Sequence, residues 1–190
     1  AAASQNWGVM ARFSFVANRA PVDGAPATLG VTPNDPLFGL QWNLKTNGTA
    51  AGQSAGGASF NDFWTRAKLT GSRSVTVAVV DTGLQMNHPD IKNSANLAPG
   101  YDMVSDLMMG NDGDGRDGDP NDPGDRCDPN DSATRDTFHG THVAGTIGVA
   151  STNNANGVAG GAWDITVVPV RALGRCGGKL SDINDAIRWA

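Results

Sequence analysis

The sequence predicts an α/β protein in which helices flank a parallel β-sheet. Two segments, residues 75–80 and 165–171, are runs of mainly apolar and β-branched residues without polar alternation. Such runs are typical of strands buried on both faces, as in the centre of a parallel sheet. The order strand, loop, helix, strand, helix favours βαβ units. A chain of 190 residues can bury a sizeable core, and one domain is the default expectation.

The first part of the chain shows fewer regular elements. Residues 9–17 are strand-like and precede a stretch rich in Pro, Gly and Ala, so residues 1–31 are interpreted as a weakly structured lead-in. Turn residues predominate over 32–38, and 40–44 is apolar enough to dock on a core. A helix is predicted over 60–69, because its apolar residues recur at helical spacing.

Three further elements are predicted after the strand at 75–80. Residues 100–104 predict a short strand, residues 139–150 a helix of small residues, and residues 180–190 the last helix. Glycine inside a helix costs about 1 kcal/mol relative to alanine. The glycines of the helix at 139–150 therefore predict very close packing against a neighbouring element; they are Gly140, Gly145 and Gly148.

Charge is distributed unevenly along the chain. The formal net charge is −5, and no basic run indicates binding to nucleic acid. All 19 acidic residues are Asp, and ten of them lie between Asp106 and Asp136, where three Arg leave a formal charge of −7. Short carboxylates in loops suit turns, helix caps and metal sites. No stretch predicts a membrane span, and no signal peptide is visible at the start.

An acid and a histidine mark the candidate chemistry. Asp81 comes where the first buried strand ends, and ligands of open α/β sheets collect at the carboxyl ends of strands. His139 begins the glycine-containing helix, which is a rigid place from which to present an imidazole ring. An acid that holds one ring nitrogen leaves the other to take a proton from a nucleophile, so the pair predicts a charge-relay site. One alternative is that Asp81 is a structural residue at the end of its strand. Another is a zinc site of the pattern His139-x-x-His142, but no Cys or Glu lies nearby. His142 and His88 are interpreted as packed or hydrogen-bonded residues.

Four motifs resemble the subtilisin-like serine proteases, or subtilases. Residues 81–90, Asp-Thr-Gly-Leu-Gln-Met-Asn-His-Pro-Asp, are similar to the family's aspartate motif, and His-Gly-Thr-His-Val-Ala-Gly-Thr from His139 is similar to its histidine motif. The stretch from Val167 to Ile183 resembles the family's substrate-binding edge strand and following helix, and residues 34–42 resemble the start of mature subtilases. The motifs occur in the family's order. The Asp-rich loop and Arg-Cys-Gly-Gly are most similar to the secreted bacterial subgroup that includes the dichelobacter proteases.

The resemblance implies a partial subtilisin-like three-layer fold, with Asp81 as the triad acid and His139 as the general base. The family's nucleophile lies in a Gly-Thr-Ser-Met-Ala motif that these 190 residues do not contain, and the oxyanion asparagine motif and the Ser-Leu-Gly substrate strand are also missing. We therefore expect residues 32–190 to be the N-terminal part of a peptidase domain, truncated before the serine motif. Residues 1–31 correspond by position to the tail of a propeptide.

The resemblance also implies calcium as a cofactor. One site is expected near the mature N-terminus, held by Asp35, Asp90 and Asn154 and by the carbonyls of Thr152, Asn156 and Val158. A second is expected in the acidic loop, the segment of residues 106–136 that holds ten Asp, where many carboxylates would repel one another without a cation. Its predicted ligands are Asp112, Asp114, Asp117 and Asp125. The alternatives are asparagines that only turn the chain and a solvated acidic loop.

Cysteine and glycine residues complete the predicted site. Cys127 and Cys176 alone fit a disulfide or two free thiols. In a secreted subtilase they are expected to pair, with pairing to a cysteine outside this sequence as the alternative. The resemblance implies that Gly177 and Gly178 pair with a substrate strand, and that the apolar substrate pocket is lined by Leu180 and Ile183. A glycine loop that closes strand 165–171 is the alternative.

The predicted parent function is that of a secreted, calcium-stabilised serine endopeptidase that hydrolyses peptide bonds. Its expected partners are protein or peptide substrates and its own propeptide as an inhibitor, with no nucleic acid and no membrane span. This chain alone is expected to be inactive, because the serine is missing from it. The alternative of another class is an inactive fragment or pseudoenzyme that only binds peptide or calcium.

Overall fold

The structure, a computed structural model, describes residues 32–67, 69–149 and 152–190. The strand-like patch predicted over 9–17 and the propeptide tail predicted over 1–31 lie outside these residues. Two short 3-10 helices, Phe38–Leu40 and Trp42–Leu44, come first. The described elements that follow are α1 (Phe60–Ala67), β1 (Thr76–Asp81), β2 (Tyr101–Asp102), α2 (Leu107–Gly110), α3 (His139–Ile147), β3 (Thr166–Arg171) and α4 (Leu180–Trp189). No helix in this described part is long and apolar enough to traverse a lipid bilayer.

The three strands form one parallel sheet in the order β1-β3-β2. β1 pairs with β3 along its whole length, from Thr76 opposite Thr166 to Asp81 opposite Arg171. Asp102, which ends β2, is also in register with Arg171. The predicted parallel α/β fold is therefore confirmed, and the carboxyl ends of all three strands meet at one end of the sheet.

The central strand of the described sheet is β3 rather than β1. Val167 and Val170 of β3 are 0% exposed, whereas full burial along β1 is limited to Val79 and Asp81. The prediction that residues 75–80 form a strand is confirmed, but complete burial on both faces is not found in the described structure. The reason is that β1 has a neighbouring strand on one side only among the described residues.

Helices cover both faces of the sheet. On one face, Val79 packs in a cluster with Ala144 of α3. On the other face, Val80 and Val170 pack in a cluster with Ala186 of α4. Successive side chains of a strand point to opposite faces, which is why Val79 and Val80 belong to different clusters. This arrangement of helix, sheet and helix is the three-layer fold that the sequence predicts.

A third cluster holds the N-terminal segment on the domain. Trp64 of α1 packs with Phe38 and Leu44, and its indole Nε1–H donates to the carbonyl oxygen of Gly161 at 2.9 Å. Leu44 is 2% exposed, whereas Leu40 and Trp42 are 77% and 59% exposed, so the predicted docking of residues 40–44 on the core is confirmed for Leu44 only.

The close packing predicted from three glycines is found at two of them, Gly140 in α3 and Gly148 directly after it. A Cβ at Gly140 would overlap the carbonyl oxygen of Gly83, and one at Gly148 would overlap that of Ala162. At Gly145 a Cβ would meet no atom within 4 Å apart from the helix's own backbone. The prediction is therefore wrong for Gly145.

The acidic loop is anchored at the carboxyl end of β3 in two ways. The predicted disulfide between Cys127 and Cys176 is present, with Cα atoms 4.5 Å apart and a sequence separation of 49. Close by, the buried guanidinium of Arg171 contacts the carboxylates of Asp102 and Asp112 and the carbonyl oxygen of Gly110. A charged residue that ends the central strand thus helps to hold the loop, together with the covalent link.

Candidate active site

Asp81 and His139 meet at the carboxyl end of the sheet. Asp81 ends β1 and His139 begins α3. Nδ1 of His139 lies 2.9 Å from Oδ1 and 2.8 Å from Oδ2 of Asp81. The Asp81 side chain is 9% exposed, whereas that of His139 is 49% exposed. A buried carboxylate therefore holds a ring that remains accessible from outside.

The turn after Asp81 fixes the carboxylate. The backbone N–H of Thr82 donates to Oδ1 of Asp81 at 2.7 Å. Gly83 has a φ of +97°, and a Cβ there would overlap the carbonyl oxygen of Pro120, so the turn requires glycine. An ionised carboxylate is an acceptor only, so the His139 proton belongs on Nδ1 and the basic lone pair on Nε2.

The segment before His139 is held by Asp125. The hydroxyl of Thr137 accepts the backbone N–H of His139 at 3.2 Å. The carboxylate of Asp125 in turn accepts the backbone N–H of Thr137 at 2.6 Å and also contacts its hydroxyl. Asp125, a predicted calcium ligand, is therefore engaged at the turn that leads into α3.

Two residues behind the pair, Thr82 and Asp122, were missed by sequence reasoning. The Thr82 hydroxyl donates to Oδ2 of Asp122 at 2.6 Å and accepts the backbone N–H of Gly140 at 3.0 Å. Burial raises the pKa of Asp122, and the hydrogen bonds from Thr82 and Gly124 oppose that rise. Asp122 is one of ten acids in its loop, and its place in the sequence does not distinguish it from the other nine.

The other two histidines lie away from the pair. His88 is hydrogen-bonded as predicted, because its Nδ1 accepts the backbone N–H of Asp90 at 3.2 Å. His142 is exposed on α3, so the structure does not support the packed alternative of its interpretation, and the hydrogen-bonded alternative stays a prediction.

The structure brings Asp35 and Asp90 to the loop 152–158, which carries the other predicted ligands of the N-terminal calcium site, and the contacts it shows there are made by N–H donors of the loop. Asp35 and Asp90 are each 3% exposed, and both contact the loop 152–158. Asp35 accepts the backbone N–H groups of Asn153 and Asn154 at 2.7 and 3.2 Å. Asp90 accepts the N–H of Val158 at 2.9 Å and the side-chain amide of Asn154 at 3.4 Å. Thr152 and Asn156 lie in the same loop.

The surroundings of these two carboxylates fit a hard cation. Within the described residues, no Lys, Arg or His forms an ion pair with Asp35 or Asp90. Burying a carboxylate without a positively charged partner is costly, and calcium prefers carboxylate and carbonyl oxygens as ligands. The donor set at this loop is therefore suitable for calcium.

The acidic loop encloses a cavity of about 110 Å³. Its lining residues are Asp112, Asp114, Asp117, Asp119 and Asn121. Three of the four predicted ligands, Asp112, Asp114 and Asp117, therefore line one cavity, and Asp125 does not. The prediction missed Asp119 and Asn121, although they continue the spacing of every second residue. The oxygens suit calcium, but no three His, Cys or Asp side chains of the described chain converge as a ready-made metal site, so the loop would adjust around an ion.

The predicted substrate-binding glycines have structural contacts of their own. The N–H and C=O of Gly177 pair with Gly174 at 3.1 and 2.8 Å. A Cβ at Gly178 would lie 2.5 Å from the carbonyl oxygen of Ala172. These contacts agree with the alternative of a glycine loop that closes β3, and pairing with a substrate stays a prediction. Of the two predicted pocket residues, Leu180 is 72% exposed, whereas Ile183 is partly buried against the cluster of α4.

A buried Asp that holds a half-exposed His at the end of a parallel α/β sheet is the arrangement of a charge-relay site. Residues 72–190 match the Subtilase family, Peptidase S8, and the chain belongs to this family.

Two extracellular proteases illustrate the relationship. The chain is 46% identical over 165 residues to an extracellular protease of Xanthomonas campestris pv. campestris, with 84% of this chain and 26% of the relative covered. It is 43% identical over 167 residues to an extracellular basic protease of Dichelobacter nodosus, with 83% and 25% covered. The chain therefore spans about a quarter of the length of these curated relatives.

A solved structure of proteases from Pseudoalteromonas arctica is also similar. It shares 49% sequence identity with a TM-score of 0.69, over 83% of this chain and 44% of that one. The fold and the family predicted from the motifs are thereby confirmed.

Proposed function

We propose that this chain carries the acid and the base of a serine-type endopeptidase of the subtilase family. The contact of His139 Nδ1 with both carboxylate oxygens of Asp81, at 2.8 and 2.9 Å, carries the proposal. Family membership supports it. Since the chain spans about a quarter of its curated relatives, the nucleophilic serine is expected in the remainder of a longer protein.

In the proposed reaction, Nε2 of His139 takes the hydroxyl proton of that serine while the serine oxygen attacks the scissile carbonyl carbon. Collapse of the tetrahedral intermediate breaks the C–N bond, and His139 gives the proton to the leaving amine. Water then attacks the acyl-enzyme carbonyl and gives a proton to His139. Collapse of the second tetrahedral intermediate breaks the ester C–O bond, and His139 returns the proton to the serine oxygen as the acid product leaves. Asp81 stays ionised, orients the ring and stabilises the imidazolium.

Secretion and calcium binding belong to the same proposal. The Cys127–Cys176 disulfide and the extracellular relatives support a secreted protein. Asp35, Asp90 and the loop 152–158 would hold one calcium ion, and the cavity of the acidic loop would hold a second. The first ion would offset the charge of Asp35 and Asp90, and the second would offset the charge of the cavity carboxylates beyond Asp112, which already contacts Arg171. A peptide substrate is the partner that the activity requires, and the propeptide is the proposed inhibitor.

The test is His139→Ala in the full-length protein, with His142→Ala as the matched control on the same helix. His139→Ala should lower kcat on a casein-type substrate by about 10⁴-fold or more, because it removes the base. Asp81→Asn should lower kcat by about 10⁴-fold, because the ring loses its tautomer. His142→Ala, which changes an exposed ring outside the pair, should stay close to the unsubstituted protein. Near-normal turnover in His139→Ala would overturn the proposal and favour a chain that only binds peptide or calcium.

A further inference from the structure

A hydroxyl and a carboxylate lie directly behind the Asp81–His139 pair. Thr82 and Asp122 are each 5% exposed. The Thr82 oxygen accepts the N–H of Gly140 at 3.0 Å and lies 2.6 Å from Oδ2 of Asp122. A hydroxyl has one hydrogen, and an ionised carboxylate has none to offer, so the Thr82 proton is directed to Asp122.

Asp122 is itself held in one orientation. Its other oxygen, Oδ1, accepts the backbone N–H of Gly124 at 2.8 Å. Both carboxylate oxygens therefore have a donor, and the carboxylate sets the direction in which the Thr82 lone pairs point. Removing either partner would leave a buried polar group unpaired, which is unfavourable.

The same hydroxyl completes the start of α3. The first backbone N–H groups of a helix have no acceptor within the helix. Phe138, which precedes α3, has a φ of +46° and no side chain that caps it. The N–H of Gly140 instead finds its acceptor on Thr82, in a different element.

Thr82 and Gly140 are each the sequence neighbour of one member of the Asp81–His139 pair. Thr82 follows the acid Asp81, and Gly140 follows the base His139. Their hydrogen bond therefore joins the end of β1 to the start of α3 beside the Asp81–His139 contact. Gly140 allows the approach, because a Cβ there would lie 3.1 Å from Cβ of Asp81 and overlap the Gly83 carbonyl.

We propose that Thr82, oriented by Asp122, is a positioning residue that sets the distance between the acid and the base. This inference rests on the proposed endopeptidase function. It assigns a role to one acid of the acidic loop that is separate from metal binding. It also predicts that the loss of the hydroxyl acts on the chemical step rather than on substrate binding.

The test compares Thr82→Val with Thr82→Ser in the full-length protease. Valine keeps the shape and removes the hydroxyl, whereas serine keeps the hydroxyl. Misplacement of catalytic groups by about 1 Å can cost on the order of 100-fold, so Thr82→Val should lower kcat by about 10- to 100-fold with KM nearly unchanged. Thr82→Ser should restore most of kcat. Thr146→Val, which removes a hydroxyl that donates to a carbonyl within α3, is the matched control and should leave kcat nearly unchanged.

Two further measurements keep the outcome decisive. Asp122→Asn keeps the shape of the side chain but offers one acceptor oxygen instead of two, and it should lower kcat in the same direction. The NMR signal of the His139 Nδ1 proton, which reports only on folded protein, should shift in Thr82→Val and not in Thr146→Val. An unchanged kcat and an unchanged signal in Thr82→Val would overturn the inference, and so would an equal loss in Thr82→Ser. If His139→Ala kept its activity, the proposed function itself would fail, so the two failures are distinguishable.

Discussion

Gly140 occupies the point at which the acid strand and the histidine helix are closest. Its missing side chain lets α3 approach β1 until the carbonyl oxygen of Gly83 fills the space that a Cβ would need. Gly145, five residues later, has no such neighbour. The two glycines therefore have opposite energetic roles in one helix, although a sequence pattern treats them alike.

Gly140→Ala should separate β1 from α3 and weaken the Asp81–His139 contact. Overpacking of this kind costs about 1–3 kcal/mol, and kcat should fall by at least about tenfold, because the catalytic geometry shifts. Gly145→Ala is the matched control and should raise the free energy of unfolding by about 0.5–1 kcal/mol, because alanine is the better helix former and has room. Urea unfolding and casein turnover of the full-length protein measure both effects. A destabilised Gly145→Ala variant would contradict the assignment of free space at that residue.

The residues that could be predicted from the sequence are those whose role is encoded locally. Asp81 ends an apolar run, and His139 begins a glycine-containing helix, so both are visible within a few neighbours. The Thr82–Asp122 contact spans 40 residues and joins the turn after β1 to one of ten acids in the acidic loop that the sequence does not distinguish from one another. The same limit applies to Asp125, which pairs with Thr137 instead of facing the cavity. Long-range contacts of this kind depend on how the acidic loop folds back onto the sheet, and patterns of neighbouring residues do not show this.

At the scale of elements, Asp182 of α4 links this helix to Ser105 and Arg116, which precede it in sequence. This carboxylate is 1% exposed and accepts the backbone N–H of Ser105 at 2.9 Å and Nη2 of Arg116 at 2.7 Å. Burial by itself raises the pKa of Asp182, but the hydrogen bonds from Ser105 and Arg116 outweigh burial, so the pKa lies below its usual 3.8. The unfolded chain therefore binds this proton more tightly than the folded one. The stabilisation is present above the unfolded pKa and is lost as the pH falls through the folded pKa.

Asp182→Asn should accordingly destabilise the protein in a pH-dependent way. At neutral pH the loss should be about 2 kcal/mol, the scale of hydrogen bonds to a charged group. The difference between the two proteins should shrink as the pH falls below 3.8, where the carboxylate of the unfolded chain is protonated. Urea unfolding in a His139→Ala background, which prevents self-digestion, gives the free energies. Asp185→Asn is the control, because Asp185 contacts the same Arg116 at 2.8 Å but is 40% exposed, and it should cost less than about 1 kcal/mol. A difference between Asp182→Asn and the parent that stays constant with pH would rule out this account.

The Cys127–Cys176 disulfide also links distant parts of the chain, the acidic loop and the segment after β3. Replacing both Cys127 and Cys176 by Ser opens a loop that is closed across a sequence separation of 49. The chain-entropy estimate for a loop of this size is about 4 kcal/mol. Calorimetry of the double variant and of the parent protein, both in the His139→Ala background, should show a clearly lower Tm for the variant. An unchanged Tm would mean that Arg171 and its carboxylates hold the loop without the covalent link.

At the scale of the whole molecule, the strands and the helices were predictable, whereas their arrangement was only partly so. The apolar runs predict β1 and β3 because burial selects apolar residues in both. They do not show that β3 is central, since strand order depends on pairing between distant segments. β2 is two residues long and pairs only through its register with Val170 and Arg171, so its pattern is too short to place it.

At the scale of the whole molecule, two separate groups of carboxylates are the proposed calcium sites. Asp35 and Asp90 lie buried against the loop 152–158, and four further Asp line the cavity of the acidic loop. If calcium binds at both places, it stabilises the folded protein by mass action, by about 2.7 kcal/mol per site at 100 times the dissociation constant. Removal of calcium with a chelator should therefore lower the Tm of the full-length protein, and added calcium should restore it.

Substitutions at each place should divide this effect between the two sites. Asp90→Asn should remove one class of calcium binding in calorimetric titration and lower the chelator-sensitive part of the Tm, because Asp90 contributes a buried carboxylate to the loop 152–158. Asp114→Asn should remove the other class, because Asp114 lines the acidic cavity. Asp131→Asn makes the same charge change in the acidic loop at an exposed residue outside the cavity and should leave both classes intact. If Asp131→Asn weakened calcium binding as much as Asp114→Asn, the ion would be attracted by the net charge of the loop, and the cavity would not be a site.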